Sequence, residues 1–326
     1  MTELLHSNLA VGPLSTKISV VSSVKNEEAA LPELILRLEA VLVGISPEYE
    51  VILIDNGSSD ATPLIIEGAH RKNARIKLIQ LSRDFGQVMA LRSGIQHVSG
   101  DIVVIMDGDL QDLPEEIPKL LLLLEDGWDL AYAQRKNRQD AWFRRVSSNA
   151  MRKIFAFLIK GSDMPPGDER MLVGVFRAMK REVADAIRAL PEHTMHIQSL
   201  IRWVGFKQTL VEVEHGKRKG GKSKYNPMNL IRYALDGAVA ASTYPLRLVT
   251  LIGFLIAFIS FAAGVGYFFQ RIWYGTQLVG FTTLVIMMLF LGGANLFVVG
   301  VLGEYIGRVY NETKARPLYI IKKKLL

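Results

Sequence analysis

Leu248–Phe269 runs for 22 residues without a charged side chain. As a helix at roughly 1.5 Å per residue it is about 33 Å long, enough to cross the hydrocarbon core of a bilayer. Leu278–Gly303 is a second uncharged stretch, and the link Gln270–Gln277 is short, so the two are expected to form a hairpin. That link carries one cation, Arg271. The flanks carry Lys222, Lys224, Arg232, Arg247, Arg308, Lys314, Arg316 and Lys322 to Lys324. The positive-inside rule then puts both termini, and the domain before the hairpin, in the cytoplasm of a plasma or inner membrane. Trp273 and Tyr274 stand where an interfacial aromatic belt is expected. Asn295 is the strongly polar side chain deep in the second stretch. Gly292, Gly293, Ala294 and Gly300 would let helices approach closely. Such residues suit a homo-oligomer and packing within one chain alike.

A chain of 326 residues, 49% hydrophobic and 22% charged, divides most simply into a soluble domain and a membrane part. The net charge is +7, with the basic excess late in the chain. Absence of cysteine excludes disulfides and Cys-ligated metals. Met1–Thr16 is polar and lacks the apolar core of a leader, so no cleavable signal is expected. The expected divisions are a tail over 1–16, a soluble domain over 17–215, and a basic loop with surface helix over 216–245. Two spans over 246–304 and a basic cytoplasmic tail over 305–326 complete the chain.

Residues 17–134 alternate between two periodicities. Ile18–Ser22, Val51–Ile54, Ile76–Leu81, Ile102–Met106 and Leu130–Ala133 read as strands. Leu31 to Leu42, Ala61–His70, Gln87–Val98 and a segment near Pro114–Leu124 read as helices. This alternation predicts an α/β fold with a largely parallel sheet. Two of the strands run straight into acids. One leads to Asp55-Asn56-Gly57-Ser58-Ser59-Asp60, the other to Asp107-Gly108-Asp109-Leu110-Gln111-Asp112. Oxygen ligands at the carboxyl ends of strands lie where open α/β sheets bind ligands. Carboxylates two apart suit a hard cation such as Mg²⁺, whose shell is completed by substrate phosphates. Asp and Gly are also ordinary turn residues, but two such turns on one sheet edge favour a nucleotide-diphosphate site. No Gly-x-Gly-x-x-Gly or Walker sequence follows a strand, which argues against dinucleotide oxidoreductases and P-loop NTPases.

Residues 135–226 are more basic. Arg135, Lys136, Arg138, Arg144 and Arg145 suit either a diphosphate or solvent. Ile197–Trp203 reads as a helix and Thr209–Val213 as a strand. Gly216–Tyr225 holds three glycines and five cations, a loop suited to a phosphate group or to anionic lipid heads. Asn226-Pro227 starts a helix that reaches about Thr243 and is expected to lie on the membrane surface. The six histidines are scattered and read as packing or surface residues.

Taken in order, the chain resembles glycosyltransferase family 2, in the polyprenyl-phosphate group related to dolichyl-phosphate mannosyltransferase. The marks are Asn26-Glu27-Glu28, Asp55 to Asp60, Leu81-Ser-Arg-Asp-Phe-Gly-Gln87 and Asp107 to Asp112. Gly167-Asp-Glu-Arg-Met171, Val204 to Gln208, Gly221-Lys-Ser-Lys-Tyr225, Leu235-Asp-Gly237, Leu302 to Arg308 and Arg316-Pro-Leu-Tyr319 add to them. The resemblance implies a GT-A fold and inverting transfer of one sugar from a nucleotide sugar to a polyprenyl phosphate, expected to be undecaprenyl phosphate. The lipid-linked sugar would serve cell-envelope glycan modification.

By the same resemblance, Glu27, Asp55 and Asp107 bind the nucleotide sugar, and Asp107, Asp109 and Gln111 hold a divalent cation, Mg²⁺ or Mn²⁺. Asp168 is the expected catalytic base. Arg170, Lys222, Ser223 and Lys224 are expected to hold the acceptor phosphate. The expected partners are thus donor, acceptor and bilayer, with no nucleic acid. Three positions depart from the family pattern. Ser23-Val24-Lys25 stands for Pro-x-Tyr, Asp55-Asn56 for Asp-Asp, and Gly167-Asp168-Glu169-Arg170 for Gly-Asp-Phe-Arg. The first two touch the nucleotide pocket and leave the donor open. A processive polysaccharide synthase would carry Gln-x-x-Arg-Trp; Gln198 to Trp203 has one residue too many, and two spans are few for a channel. A non-catalytic scaffold is disfavoured by the intact Asp107, Asp109 and Asp168.

Overall fold

The structure is a computed structural model that describes residues 16–135, 174–190, 197–216, 244–274 and 280–326. These fall into two units. One holds the described residues up to 216 together with Arg316–Leu326, and the other holds those from 244 to 315.

The first unit is built on one eight-stranded sheet. Its strands are β1 (Ile18–Val24), β2 (Tyr49–Asp55), β3 (Ile76–Leu81), β4 (Ile102–Asp107), β5 (Leu130–Arg135), β6 (Arg177–Lys180), β7 (Gln208–Val213) and β8 (Ile321–Leu325). They are ordered β7-β5-β6-β4-β1-β2-β3-β8. β4, β1, β2 and β3 run parallel, as do β5 and β7, while β6 and β8 run antiparallel to their neighbours. Helices α1 (Leu31–Ile45), α2 (Thr62–Lys72), α3 (Gln87–Ile95), α4 (Ile117–Glu125), α5 (Arg181–Ala189) and α6 (Ile197–Trp203) complete the unit.

The central strands are apolar on both faces because helices cover both. Val20, Val51, Leu53, Leu78 and Val104 pack with Leu34, Leu38, Ile66 and Leu120 of α1, α2 and α4. Val21, Ile52, Ile54, Ile79 and Ile105 face the other way, against Leu91 and Ile95 of α3 and Val183 and Ile187 of α5. The strand alternation thus feeds two cores. Pro32 and Pro63 lie in the first turns of α1 and α2, where a missing N–H costs least.

Two elements differ from the sequence reading. Arg177–Lys180 is a four-residue strand between β4 and β5, too short and polar to show a period. Within the expected basic tail, Ile321–Leu325 returns to the sheet as an edge strand on β3. Its exposed lysines suit an edge, since charge there blunts pairing with other chains; Lys323 Nζ also meets Glu67 Oε1 at 2.6 Å.

In the second unit α7 (Tyr244–Tyr274) contains the first uncharged stretch, and α8 (Phe281–Thr313) contains the second from Phe281 onward. Phe254, Phe261 and Trp273 are 75%, 72% and 76% exposed, and Asn295 is exposed too. The expected surface helix, Asn226 to Thr243, lies outside the described residues.

Candidate active site

Register alone brings the two acidic turns to one edge. Val24 of β1 is paired with Asp55 of β2, and Ser23 with Asp107 of β4. β1 therefore stands between the two acids, each of which ends its strand at the carboxyl edge. There a cleft of about 320 Å³ is lined by Ser23, Lys25, Glu27, Asn56, Asp84, Gly86, Gln87, Asp107, Gly108 and Asp109. Glu27, Asp107 and Asp109 are thus brought together. Asp55 is fully buried, and the residue of its turn that lines the cleft is Asn56.

Two glycines make these approaches possible. A Cβ on Gly108 would lie 2.4 Å from Val24 Cγ1, so only glycine lets the acidic turn rest on the end of β1. Gly57 has φ +71°, and a Cβ there would meet the Arg83 and Asp84 backbone at 2.5–2.6 Å.

The acidic turn is held from several sides. Gln87 Nε2 donates to Asp107 Oδ1 at 2.6 Å. Asp112, itself buried, accepts the Asp107 N–H at 3.0 Å, and Asp109 Oδ1 accepts the Gln111 N–H at 3.1 Å. His215 Nε2 lies 3.1 Å from Gln111 Oε1, and the Gly216 N–H donates to the Gln111 carbonyl at 2.9 Å. The segment that opens the basic loop is therefore stitched to the acidic turn.

Arg177 lies fully buried in β6, opposite Ile105 of β4 and Tyr132 of β5. Its guanidinium donates to the Val175 and Gly174 carbonyls and sits 4.9 Å from the Tyr132 ring centre. Burial lowers its pKa from the ordinary guanidinium value, and the nearby Tyr132, Asp107 and Asp112 offset that only in part.

On the Asp55 side, Asp55 Oδ1 accepts the Ser58 N–H at 3.0 Å, while Oδ2 is buried without a partner among the described residues. Asn26, at φ 55°, accepts the Ser59 N–H at 2.9 Å, and the Glu27 N–H donates to Thr62 Oγ1 at 3.0 Å. Lys25 and Asn56 both reach Asp84, at 2.6 and 2.7 Å.

Among the described residues, no three of His, Cys, Asp and Glu converge as a complete metal cage. Asp107 and Asp109 nevertheless bring two carboxylates to the cleft, whereas Gln111 of the same turn does not line it and its amide oxygen lies against His215 Nε2. The two carboxylates fit a hard cation that shares its shell with phosphates. Asp168, Arg170, Lys222, Ser223 and Lys224 lie outside the described residues. Sequence reasoning missed Asp84, Arg177 and His215 and gave Gln87 no role. Asp84 and Gln87 stood within a quoted motif, whereas nothing in the sequence shows that Arg177 is buried or that His215 meets Gln111.

A family model described as "Glycosyl transferase family 2" matches residues 19–188. An uncharacterised glycosyltransferase of Synechocystis sp. is 37% identical over 309 residues, covering 94% of this chain and 95% of its own. Among solved structures, a glucosyl-3-phosphoglycerate synthase from Mycobacterium tuberculosis, in complex with Mn²⁺, UDP and glucosyl-3-phosphoglycerate, is 19% identical. It matches with a TM-score of 0.47 over 69% of this chain and 78% of its own. A mannosyltransferase from Pyrobaculum calidifontis, in complex with GDP-Man and Mn²⁺, is 16% identical. It matches with a TM-score of 0.46 over 90% of this chain and 91% of its own.

Proposed function

The chain belongs to glycosyltransferase family 2 and transfers a sugar from a nucleotide sugar; from that premise we propose that it is a membrane-bound, inverting enzyme whose acceptor is a polyprenyl phosphate. The observation that carries this reading is the path of the chain. It leaves the cleft-bearing unit, forms two long apolar helices with exposed faces, and re-enters the same sheet as β8. An exposed apolar surface on helices of that length is what a bilayer covers. Because both ends return to one unit, a pair of spans would keep that unit on one side of the membrane. A lipid phosphate at the bilayer surface is then the acceptor such a unit meets.

The chemistry is a single in-line displacement. A phosphate oxygen of the acceptor attacks the anomeric carbon of the sugar. The bond from that carbon to the diphosphate oxygen breaks, and the nucleoside diphosphate leaves with the electron pair. A phosphate monoester with a second pKa near ~6 is already largely ionised at neutral pH, so a strong base is not required. Asp168 then serves chiefly to orient the acceptor. Asp107 and Asp109 would hold a divalent cation, which when bound neutralises charge on the leaving diphosphate. Gln87 and Asp112 keep those ligands in place. Arg170, Lys222, Ser223 and Lys224 hold the acceptor phosphate, and Glu27 and Asp55 the nucleoside.

The test is label transfer by the full chain from a panel of UDP- and GDP-sugars to undecaprenyl phosphate, with Mg²⁺ or Mn²⁺ and with chelator. A single-sugar lipid formed from one donor, and absent with chelator, is expected. Transfer only to a water-soluble acceptor, growth of a polysaccharide, or no transfer from any donor would overturn the reading.

A further inference from the structure

The turn from β3 to α3, residues 82–86, places Asp84 and Gly86 on the cleft wall. It also delivers Gln87, the first residue of α3, to Asp107. The turn is held from two sides. On the β2 side, Lys25 and Asn56 reach Asp84, and Gly57 rests against the Arg83 and Asp84 backbone. On the outer side the hold comes from the end of the chain, since β8 is the last strand in the sheet order and pairs with β3.

That pairing does not stop where β3 does. Lys324 stands opposite Ile79 and Lys323 opposite Gln80. The register then shifts, Lys322 is passed over, and Ile321 meets Leu81. A bulge of this kind bends and re-aims the strand that carries it. Here it takes the ladder past the end of β3, so that the Ser82 N–H donates to the Ile320 carbonyl at 2.9 Å. Tyr319 and Ile321 pack on the core cluster that also takes Phe85 and Val88 and that contains Leu91 of α3. Burial raises the pKa of the Tyr319 phenol, and the Arg92 guanidinium of α3 offsets the rise only in part.

A strand that merely closed the sheet would end with its partner. This one continues onto the turn that enters α3. No side chain caps the start of that helix, so the turn itself sets where Gln87 stands. A binding group works when the packing behind it holds it to within about 0.5 Å. On the outer side of this turn, that packing comes from residues 319–321.

We propose that residues 319–321 position the donor cleft: Tyr319, the Ile320 carbonyl and Ile321 fix the turn over 82–86 and, through Gln87, the Asp107 carboxylate. The inference rests on the cleft being the nucleotide-sugar site. Tyr319 is a positioning residue, since it lines no part of the cleft and acts through Gln87. The cleft is then complete only when the last residues of the chain, which follow both long apolar helices, have docked on β3.

The test is calorimetric titration of UDP and of GDP, each with Mn²⁺, into the full chain in detergent, with a melting temperature for every variant. Wild type is compared with Tyr319→Ala, Tyr319→Phe, Gln87→Ala and the double variant Tyr319→Ala/Gln87→Ala. Lys323→Ala is added because it breaks the pair of β8 with Glu67 of α2. Tyr319→Ala and Gln87→Ala should each weaken the nucleotide that wild type binds about tenfold, the scale of one hydrogen bond to a charged group. The double variant should lie within about twofold of the weaker single variant, because the two residues act in series. Tyr319→Phe keeps the packing ring and should bind like wild type, as should Lys323→Ala. If Tyr319→Ala does not fold, Ile321→Val makes a smaller cut beside Leu81; a smaller loss is expected, again absent in the Gln87→Ala background. Additive losses in the double variant, unchanged affinity in a folded Tyr319→Ala, or an equal loss in Lys323→Ala would mean that β8 only closes the sheet, and would overturn the inference. A wild type that binds neither nucleotide would overturn the nucleotide-sugar reading itself, and the inference with it.

Discussion

Glu50 and Asp55 lie on one strand, both buried, and their surroundings are opposite. Glu50 Oε1 accepts from Ser19 Oγ at 2.5 Å and from the Ser99 N–H at 2.6 Å, and Oε2 meets Lys77 Nζ at 2.7 Å. Asp55 Oδ1 accepts one N–H, and Oδ2 accepts none among the described residues. A buried oxygen left without a donor costs about 1–3 kcal/mol. The fold tolerates that cost at the carboxyl end of β2 and avoids it at the amino end. The contrast divides the sheet. The amino edge is closed by internal bonds, and its buried charge serves stability. The carboxyl edge carries the cleft with Asp107 and Asp109 on its wall, which is the edge proposed to take the ligand.

The comparison is broken most severely at the acidic turn. Asp109→Ala should lower transfer by about a thousandfold or more, on the scale of losing a main electrostatic contact to the reacting groups. Its melting temperature should stay close to that of wild type. Asp168→Asn should retain more activity than Asp109→Ala if Asp168 chiefly orients the acceptor; equal and complete loss in both would refute that role.

At the other edge the effect moves to stability. Glu50→Ala leaves Lys77 half-buried without its partner and should cost on the order of 3 kcal/mol in denaturant unfolding, with unchanged nucleotide affinity in the folded protein. The same group gives a pH signature. Burial pushes the Glu50 carboxyl up, but the bonds from Lys77, Ser19 and Ser99 outweigh it and hold the pKa at about 2, against 4.5 ordinarily. A depressed folded pKa stabilises above the unfolded value, so this contribution is complete above about pH 4.5 and is lost as pH falls toward 2. Unfolding curves across that window should show the loss in wild type and a flatter profile in Glu50→Gln. The smallest effect belongs to Asp55→Asn. It should weaken nucleotide binding about tenfold while changing stability by under about 1 kcal/mol.

The same division decides what was legible in the sequence. Ile76–Leu81 was read at its observed limits, and β1, β2 and β4 to within a few residues, because buried parallel strands are short apolar runs that end at polar turns. The two acidic turns were read as sharing an edge because both directly follow strands. Arg177–Lys180 was not read, since four residues with charged ends show no period. Ile321–Leu325 looks like a basic tail because its lysines face outward from an edge strand. At the site, Asp107 and Asp109 were legible from spacing. Gln87 bonding Asp107, His215 meeting Gln111, and Arg177 buried behind them arise from contacts across 20 to 104 positions, which no local pattern records.

The most direct measurement is titration of UDP and GDP into the folded full chain with Mn²⁺ and with chelator, for wild type, Asp109→Ala and Glu50→Ala. At least one nucleotide should bind wild type and Glu50→Ala alike in the presence of Mn²⁺. Its affinity should fall at least about a hundredfold with chelator or in Asp109→Ala. Binding indifferent to chelator and to Asp109→Ala, or lost in a folded Glu50→Ala, would contradict the assignment of ligand binding to the carboxyl edge.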